Sequence, residues 1–207
     1  MNSFSAKDLC TRSCMQIRMF MLHPENRPRP TQNMLDGLSF QEMICSQQND
    51  VIDQEMVGEV HDGDDTIRFS IDIVTKDAFI EVKSVDKDRE VPDWYRKSSL
   101  LQCAVYYALL QECDGELHTA KFRCDQGCER ISCHANKDNP YILVFGEERY
   151  AISLSDKQAI LDFIIEKKNA CLSWDDAKEF DRLNKQKEFD LLSKHFQYER
   201  IDNSVVL

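Results

Sequence analysis

Three strand-like runs follow one another with almost nothing between them, and this limits the fold more than any other feature of the chain. VIDQEMVGEV, TIRFSIDIV and AFIEVKS are rich in β-branched and aromatic residues and are separated only by HDGDD and KD. Turns that short send the chain straight back, so an antiparallel meander is expected. Side chains alternate along a strand, so Glu81 and Lys83 share one face while Val82 points to the other. With Lys76 and Asp77 as the loop, Thr75 pairs with Ala78, Val74 with Phe79 and Ile73 with Ile80. Asp72 then falls opposite Glu81. Two carboxylates with Cβ atoms about 5 Å apart among apolar neighbours repel more strongly than on a wet ribbon. Lys83, diagonal to Asp72, supplies one positive charge, and a divalent cation held by both carboxylates completes the neutralisation. The alternative is a surface hairpin whose acids splay into water with Lys83 as a screen.

The remaining pattern places helices around these strands. A short helix is expected around Phe4 to Met15, an extended connector at HPENRPRP, and a helix from about Thr31 to Ser46 with Met34, Leu35, Leu38, Met43 and Ile44 on its buried side. Asp93 is placed to cap a long helix ending near Cys113. LHTAKFRC and YILVFGEERYAIS read as strands, and Asp156 or Ser155 can cap a helix carrying Ile160, Phe163 and Ile164. From Trp174 to about Phe196 the chain is charged and helix-prone. Helices around a mixed sheet give an α/β or α+β fold. The 207 residues suit one domain. Residues 1–30 form an N-terminal helix and connector, 31–170 the core, and 171–207 a C-terminal helical arm.

The formal charge of −11 argues against a phosphate-binding surface, but 11 acidic and only 3 basic groups fall within residues 37–83. That local excess suits a cation site, although solvated acidic turns account for much of it. No apolar run approaches the roughly 20 residues that span a bilayer, and no signal peptide is expected. Nine cysteines in no even ladder suggest a reducing, intracellular setting.

Asp72, Glu81 and Lys83 resemble the D…E-x-K core of the PD-(D/E)xK nuclease superfamily. Gln102 and Tyr106 in LLQCAVYYALL resemble the Q-x-x-x-Y motif of its RecB-like branch, which includes CRISPR-associated exonucleases. Upstream, PTQNMLDGLSFQEM resembles the helix in which a glycine is followed four residues later by a metal-binding histidine. Gly37 fits, but position 41 is glutamine, with Glu42 beside it. The resemblance covers about residues 28–110. It implies a restriction-endonuclease-like core, a mixed central β-sheet flanked by α-helices, and a Mg²⁺ or Mn²⁺ ion bound by Asp72, Glu81, Val82 and Gln41. It also implies Lys83 as the catalytic lysine, with Gln102 and Tyr106 in support. The implied activity is phosphodiester hydrolysis in DNA, at ends more readily than internally, in recombination, repair or processing of foreign or viral DNA. RNA is the alternative substrate, and a catalytically silent binding or assembly subunit the alternative class.

Some RecB-like nucleases bind an iron–sulfur cluster through one upstream and three late cysteines. Here Cys124, Cys128 and Cys133 form a trio, with Cys10, Cys14 or Cys45 upstream, but the trio precedes YILVF and only Cys171 lies late. Free thiols, zinc and a cluster are the three readings, in that order. Cation binding by His61 and Asp62, strand contact by Arg96, Lys97, Trp94 or Tyr95, and phosphate contact by Arg12, Arg18, Arg27 and Arg29 are weaker readings beside turn chemistry and ordinary ion pairs.

Overall fold

Register in the second hairpin follows the pairing arithmetic. Ile73 lies opposite Ile80 and Val74 opposite Phe79. The Thr75 N–H donates to the Ala78 carbonyl at 3.0 Å. Thr75 Oγ1 in turn accepts the Ala78 N–H at 2.9 Å, closing the Lys76–Asp77 loop. The computed structural model describes residues 2–28, 32–85, 91–125, 127, 129, 131–184 and 188–202. In chain order its elements are β1 (Ser3–Ser5), α1 (Ala6–Thr11), α2 (Cys14–Leu22), α3 (Gln32–Ser46), β2 (Val51–Asp62), β3 (Asp65–Thr75), β4 (Phe79–Lys83) and α4 (Asp93–Glu112). They continue as β5 (Glu116–Thr119), α5 (Lys121–Asp125), β6 (Ser132–His134), β7 (Tyr141–Phe145), β8 (Glu148–Leu154), α6 (Lys157–Ala170), α7 (Trp174–Asn184), α8 (Glu188–Leu192) and β9 (Phe196–Ile201).

The strands form one sheet in the order β6-β5-β2-β3-β4-β7-β8-β9, with β1 paired onto β3. Neighbours are antiparallel except β4 with β7 and β1 with β3, so this is a mixed sheet in an α+β fold. The parallel step arises because the chain leaves β4, crosses through α4 and the β5–β6 excursion, and returns beside β4 as β7. Residues 99–110 of α4 are buried without interruption, so this helix is enclosed rather than amphipathic. It packs with Phe69, Ile71, Val74, Phe79 and Tyr141 of the sheet in the main core. A smaller cluster on the opposite face joins Ile44 of α3 to Ile73, Ile80, Val82, Ile142 and Val144.

Several elements differ from the sequence pattern. The expected Phe4–Met15 helix is a short strand and two helices, because Ser13 forms a capping box with Gln16 and starts α2 afresh. Pro24–Asn26 make one 3₁₀ turn where an extended connector was expected. Pro92, not Asp93, occupies the cap of α4, and Asp93 is the first helical residue, paired with Lys97. LHTAKFRC is a strand followed by α5. The C-terminal segment is not only helical: β9 closes the sheet edge against β8. Met34, Leu35, Arg29 and Cys128 lie outside the residues whose side chains are described.

Candidate active site

Asp72 and Glu81 meet where the β3–β4 ladder stops. Continued past Ile73–Ile80, the register would give the Val82 N–H to Ile71. Instead it donates to Asp72 Oδ2 at 2.7 Å. The carboxylate thus stands in for a backbone acceptor and wedges the strands apart. The alternation of β3 slips at the same point. Ile71 belongs to the main core, Ile73 to the cluster under α3, and Val74 to the main core again.

Glu81 is 1% exposed. Its Oε1 accepts from Lys83 Nζ at 2.6 Å and from Gln102 Nε2 at 2.7 Å. Among the described residues its Oε2 is buried with no hydrogen-bond partner, as is the Tyr141 hydroxyl. A buried acceptor left this way costs on the order of 1–3 kcal/mol unless a cation or ordered water meets it. Gln102 reaches Glu81 from α4, which packs on the main-core face of the sheet. Tyr106, one turn later, packs against Phe69 with the rings tilted and their centroids 5.9 Å apart. Phe69 in turn lies across Gly58, where a Cβ would stand 2.3 Å from the ring. Lys83 and Gln102 thus meet on Glu81 Oε1, Asp72 is tied to the backbone one residue on, and Tyr106 packs against Phe69.

Electrostatics follow from that crowding. Burial raises the Asp72 carboxyl well above its usual range, and the charges of Glu81 and Glu55 push the same way against Lys83 and the Val82 N–H. Burial alone would lower Lys83, but Glu81 and Asp72 outweigh it and raise the ammonium above its ordinary value. Burial, and then Glu81, raise Tyr106 well above a free phenol, with Gln102 opposing. At neutral pH Lys83 is a charge donor, not a base.

Glu55 is the carboxylate that the pattern reading missed. The pairs Gln54–Ile73 and Met56–Ile71 set it opposite Asp72. Gln41 Nε2 donates to Glu55 Oε1 at 3.0 Å and to the Asp72 carbonyl at 3.2 Å, and Ser70 Oγ donates to Glu55 Oε2 at 3.2 Å. Gln41 was expected to offer a carbonyl oxygen to the metal. With two acceptors before it, the amide presents its nitrogen to the acids. The signal for Glu55 was present: counting back from the HDGDD turn, with Asp62 opposite Asp65, reaches the same pair.

Among the described residues, no three His, Cys, Asp or Glu side chains converge closely enough as they stand to hold a metal ion. Asp72 and Glu81, with the carbonyl of Val82 between strands, nevertheless fit a hard cation by donor type, and the orphaned Glu81 oxygen is the acceptor it would satisfy. Cys124 and Cys133 are half-buried, and Cys133 touches Met56 Sδ at 3.9 Å. Cys128 lies outside the described residues. Cys14 and Cys171 are fully buried and share the Lys167 carbonyl.

The weaker candidates resolve into local pairs. Lys168 binds Asp62 at 2.7 Å and Asp65 at 3.3 Å, which ties two acids of the turn to α6. Arg12 and Arg27 both pair with Asp8. Arg96 meets Glu148 at 3.4 Å. Two clefts flank the site without containing its acids. One, of about 1030 Å³, is lined by Trp94, Lys97, Arg182 and Phe189. The other, of about 880 Å³, opens at Ser84, next to Lys83, beside Phe40, Arg96 and Phe145. The pairing geometry identifies the site better than cleft size does, because the acids line a seam between strands.

No protein-family model and no curated protein matches this chain. A solved structure described as the crystal structure of SSO0001 is similar over 82% of this chain and 76% of its own, at 15% identity and a TM-score of 0.48. The reading of the site rests on its own geometry. No helix among the described residues is long and apolar enough to cross a membrane.

Proposed function

We propose that this chain is a divalent-cation-dependent nuclease of the PD-(D/E)xK type, hydrolysing phosphodiester bonds in DNA, at ends more readily than internally. The observation that carries this is that Lys83 and Gln102 hold one oxygen of the buried Glu81, Asp72 is fixed beside it by the Val82 N–H, and the other Glu81 oxygen has no partner among the described residues. Asp72, Glu81 and the Val82 carbonyl would hold Mg²⁺ or Mn²⁺. When bound, the ion supplies an activated water and neutralises charge on the phosphoryl oxygens. Lys83, kept protonated by Glu81, orients the attacking water and offers its charge to the pentavalent phosphorus oxygens. Gln102 holds Glu81 in place from α4. The Val82 N–H fixes the Asp72 carboxylate toward Glu81.

One observation favours a second reading, a silent binding subunit of the same fold: Gln41 presents an amide nitrogen where the family carries a metal-binding histidine. Labelled linear duplex, single-stranded and circular DNA, and RNA, incubated in Mn²⁺, Mg²⁺ or EDTA, separate the readings. The nuclease cleaves linear DNA only with metal, and Lys83→Ala lowers the rate on the order of 100- to 1000-fold. Absence of metal-dependent cleavage, or cleavage undiminished in Lys83→Ala, favours the silent subunit. Cleavage confined to RNA changes the substrate.

A further inference from the structure

Counting charges around the seam leaves an imbalance. Asp72 and Glu81 both act on the Lys83 ammonium, which is bound to Glu81, and a third carboxylate, Glu55, acts on Asp72. Glu55 meets only neutral donors among the described residues, the Gln41 amide and the Ser70 hydroxyl.

We propose that Glu55 is the third carboxylate of this cation seat, a positioning residue held by Gln41 and Ser70 that accepts hydrogen bonds from water on the bound ion. The proposal rests on the reading of the site given above. Three observations carry it. Register places Glu55 opposite Asp72, and its charge acts on the Asp72 carboxyl. One amide ties the two residues together, since Gln41 Nε2 bonds both the Glu55 carboxylate and the Asp72 carbonyl. Among the described residues the buried Glu81 Oε2 has no hydrogen-bond partner, an acceptor that a ligand of positive character would satisfy.

Glu55 acts through water rather than by direct contact because no three acidic side chains close on a single point among the described residues. Its backbone, at φ 53°, lies in the left-handed region that non-glycine residues rarely enter, at the place where β3 changes the side of its apolar residues. Gln41 then has a purpose different from a metal ligand. An imidazole would contact the ion itself, whereas the amide holds a carboxylate that brings a full negative charge. Carboxylates that hold the groups around a metal typically change its affinity 10- to 100-fold when removed.

The test is Mn²⁺ binding, followed by the loss of the free-ion electron paramagnetic resonance signal, together with thermal melting in EDTA. Wild type, Asp72→Asn, Glu55→Gln and Glu55→Asp are compared. Expected are Mn²⁺ binding by wild type, loss in Asp72→Asn, weakening of about tenfold in Glu55→Gln and recovery in Glu55→Asp, with EDTA melting of Glu55→Gln close to wild type. Binding by Glu55→Gln equal to wild type, while Asp72→Asn binds none, overturns the role of Glu55 and leaves the cation seat standing. Absence of Mn²⁺ binding in wild type overturns both. Should Glu55→Gln fail to melt cooperatively, Ser70→Ala, which removes one of the two holders, is read instead: weaker binding supports the proposal and unchanged binding overturns it.

Discussion

The molecule contains two clusters in which a lysine meets a pair of acids, and they are built in opposite ways. At the β2–β3 turn, Lys168 is 2% exposed and bonds both Asp62 and Asp65. Asn2 donates its main-chain and side-chain N–H groups to the other oxygen of Asp65. At the strand seam, Lys83 is bound to Glu81 alone among the described residues, and one oxygen of Glu81 has no partner among them. The two sites shift their carboxyls accordingly. Asn2, aided by Lys168, holds Asp65 below its usual value, whereas burial and neighbouring acids raise Asp72. Acids completed by their own chain act as a staple between the sheet and α6. The seam has the same two acids to one lysine, but among the described residues one oxygen of Glu81 is left without a donor.

Removing the lysine from the completed cluster should have the largest effect on stability. Lys168→Ala leaves Asp62 and Asp65 facing the end of α6 without compensation, and a loss of about 3–5 kcal/mol is expected from denaturant unfolding. A loss below about 1 kcal/mol would mean the staple is not a buried pair. The same change should leave Mn²⁺ affinity unaltered in whatever fraction remains folded, because the seam does not draw on Lys168.

Gln102→Ala comes next. It removes one of two donors from the buried Glu81 oxygen, and an expected loss of about 1.5–3 kcal/mol follows from a hydrogen bond to a charged acceptor. The cleavage rate should fall with it, since Glu81 loses its anchor to α4. Unchanged unfolding together with unchanged cleavage would remove Gln102 from the site.

Asp72→Asn is the smallest change in stability and the sharpest contrast. A carboxyl raised in the folded state contributes stability below its unfolded value, and that contribution is lost as pH rises through the raised value. Replacing it with a neutral amide that still accepts the Val82 N–H should therefore raise the EDTA melting temperature near pH 8 by about 2–4 °C, with the gap closing toward pH 4. Asp65 behaves in the reverse sense: its contribution is present above its unfolded value and is lost as pH falls through the depressed one. A melting temperature for Asp72→Asn that is lower than wild type at pH 8 would show that the seam is already neutralised.

What could be read from the chain depended on how far each inference reached. The Lys76–Asp77 loop and the opposition of Asp72 and Glu81 followed from a two-residue turn and a period of two, because both are local. Gln102 was singled out because it stands with Tyr106 in the Q-x-x-x-Y pattern, and its bond to Glu81, 21 residues away, is one that the period of neither element shows. Glu55 required the same counting across a second turn. The Lys168 staple joins positions 106 residues apart, and no pattern in the sequence pairs them. The division of the first helix was written in Ser13 and Gln16, a capping box read over as continuous helix. Strand β9 follows a charged helical segment, and its pairing with β8 depends on where α6 returns the chain. The direction of the Gln41 amide could not come from residue type, since glutamine offers both a donor and an acceptor and only the acceptors around it decide.

Cleavage of end-labelled linear duplex DNA in Mn²⁺, with wild type and Asp72→Asn side by side, tests the central claim most directly. The account predicts that wild type shortens the DNA, that EDTA stops it, and that Asp72→Asn leaves the DNA intact although it is folded at least as stably. DNA left intact by both proteins, or cut equally by both, would contradict it.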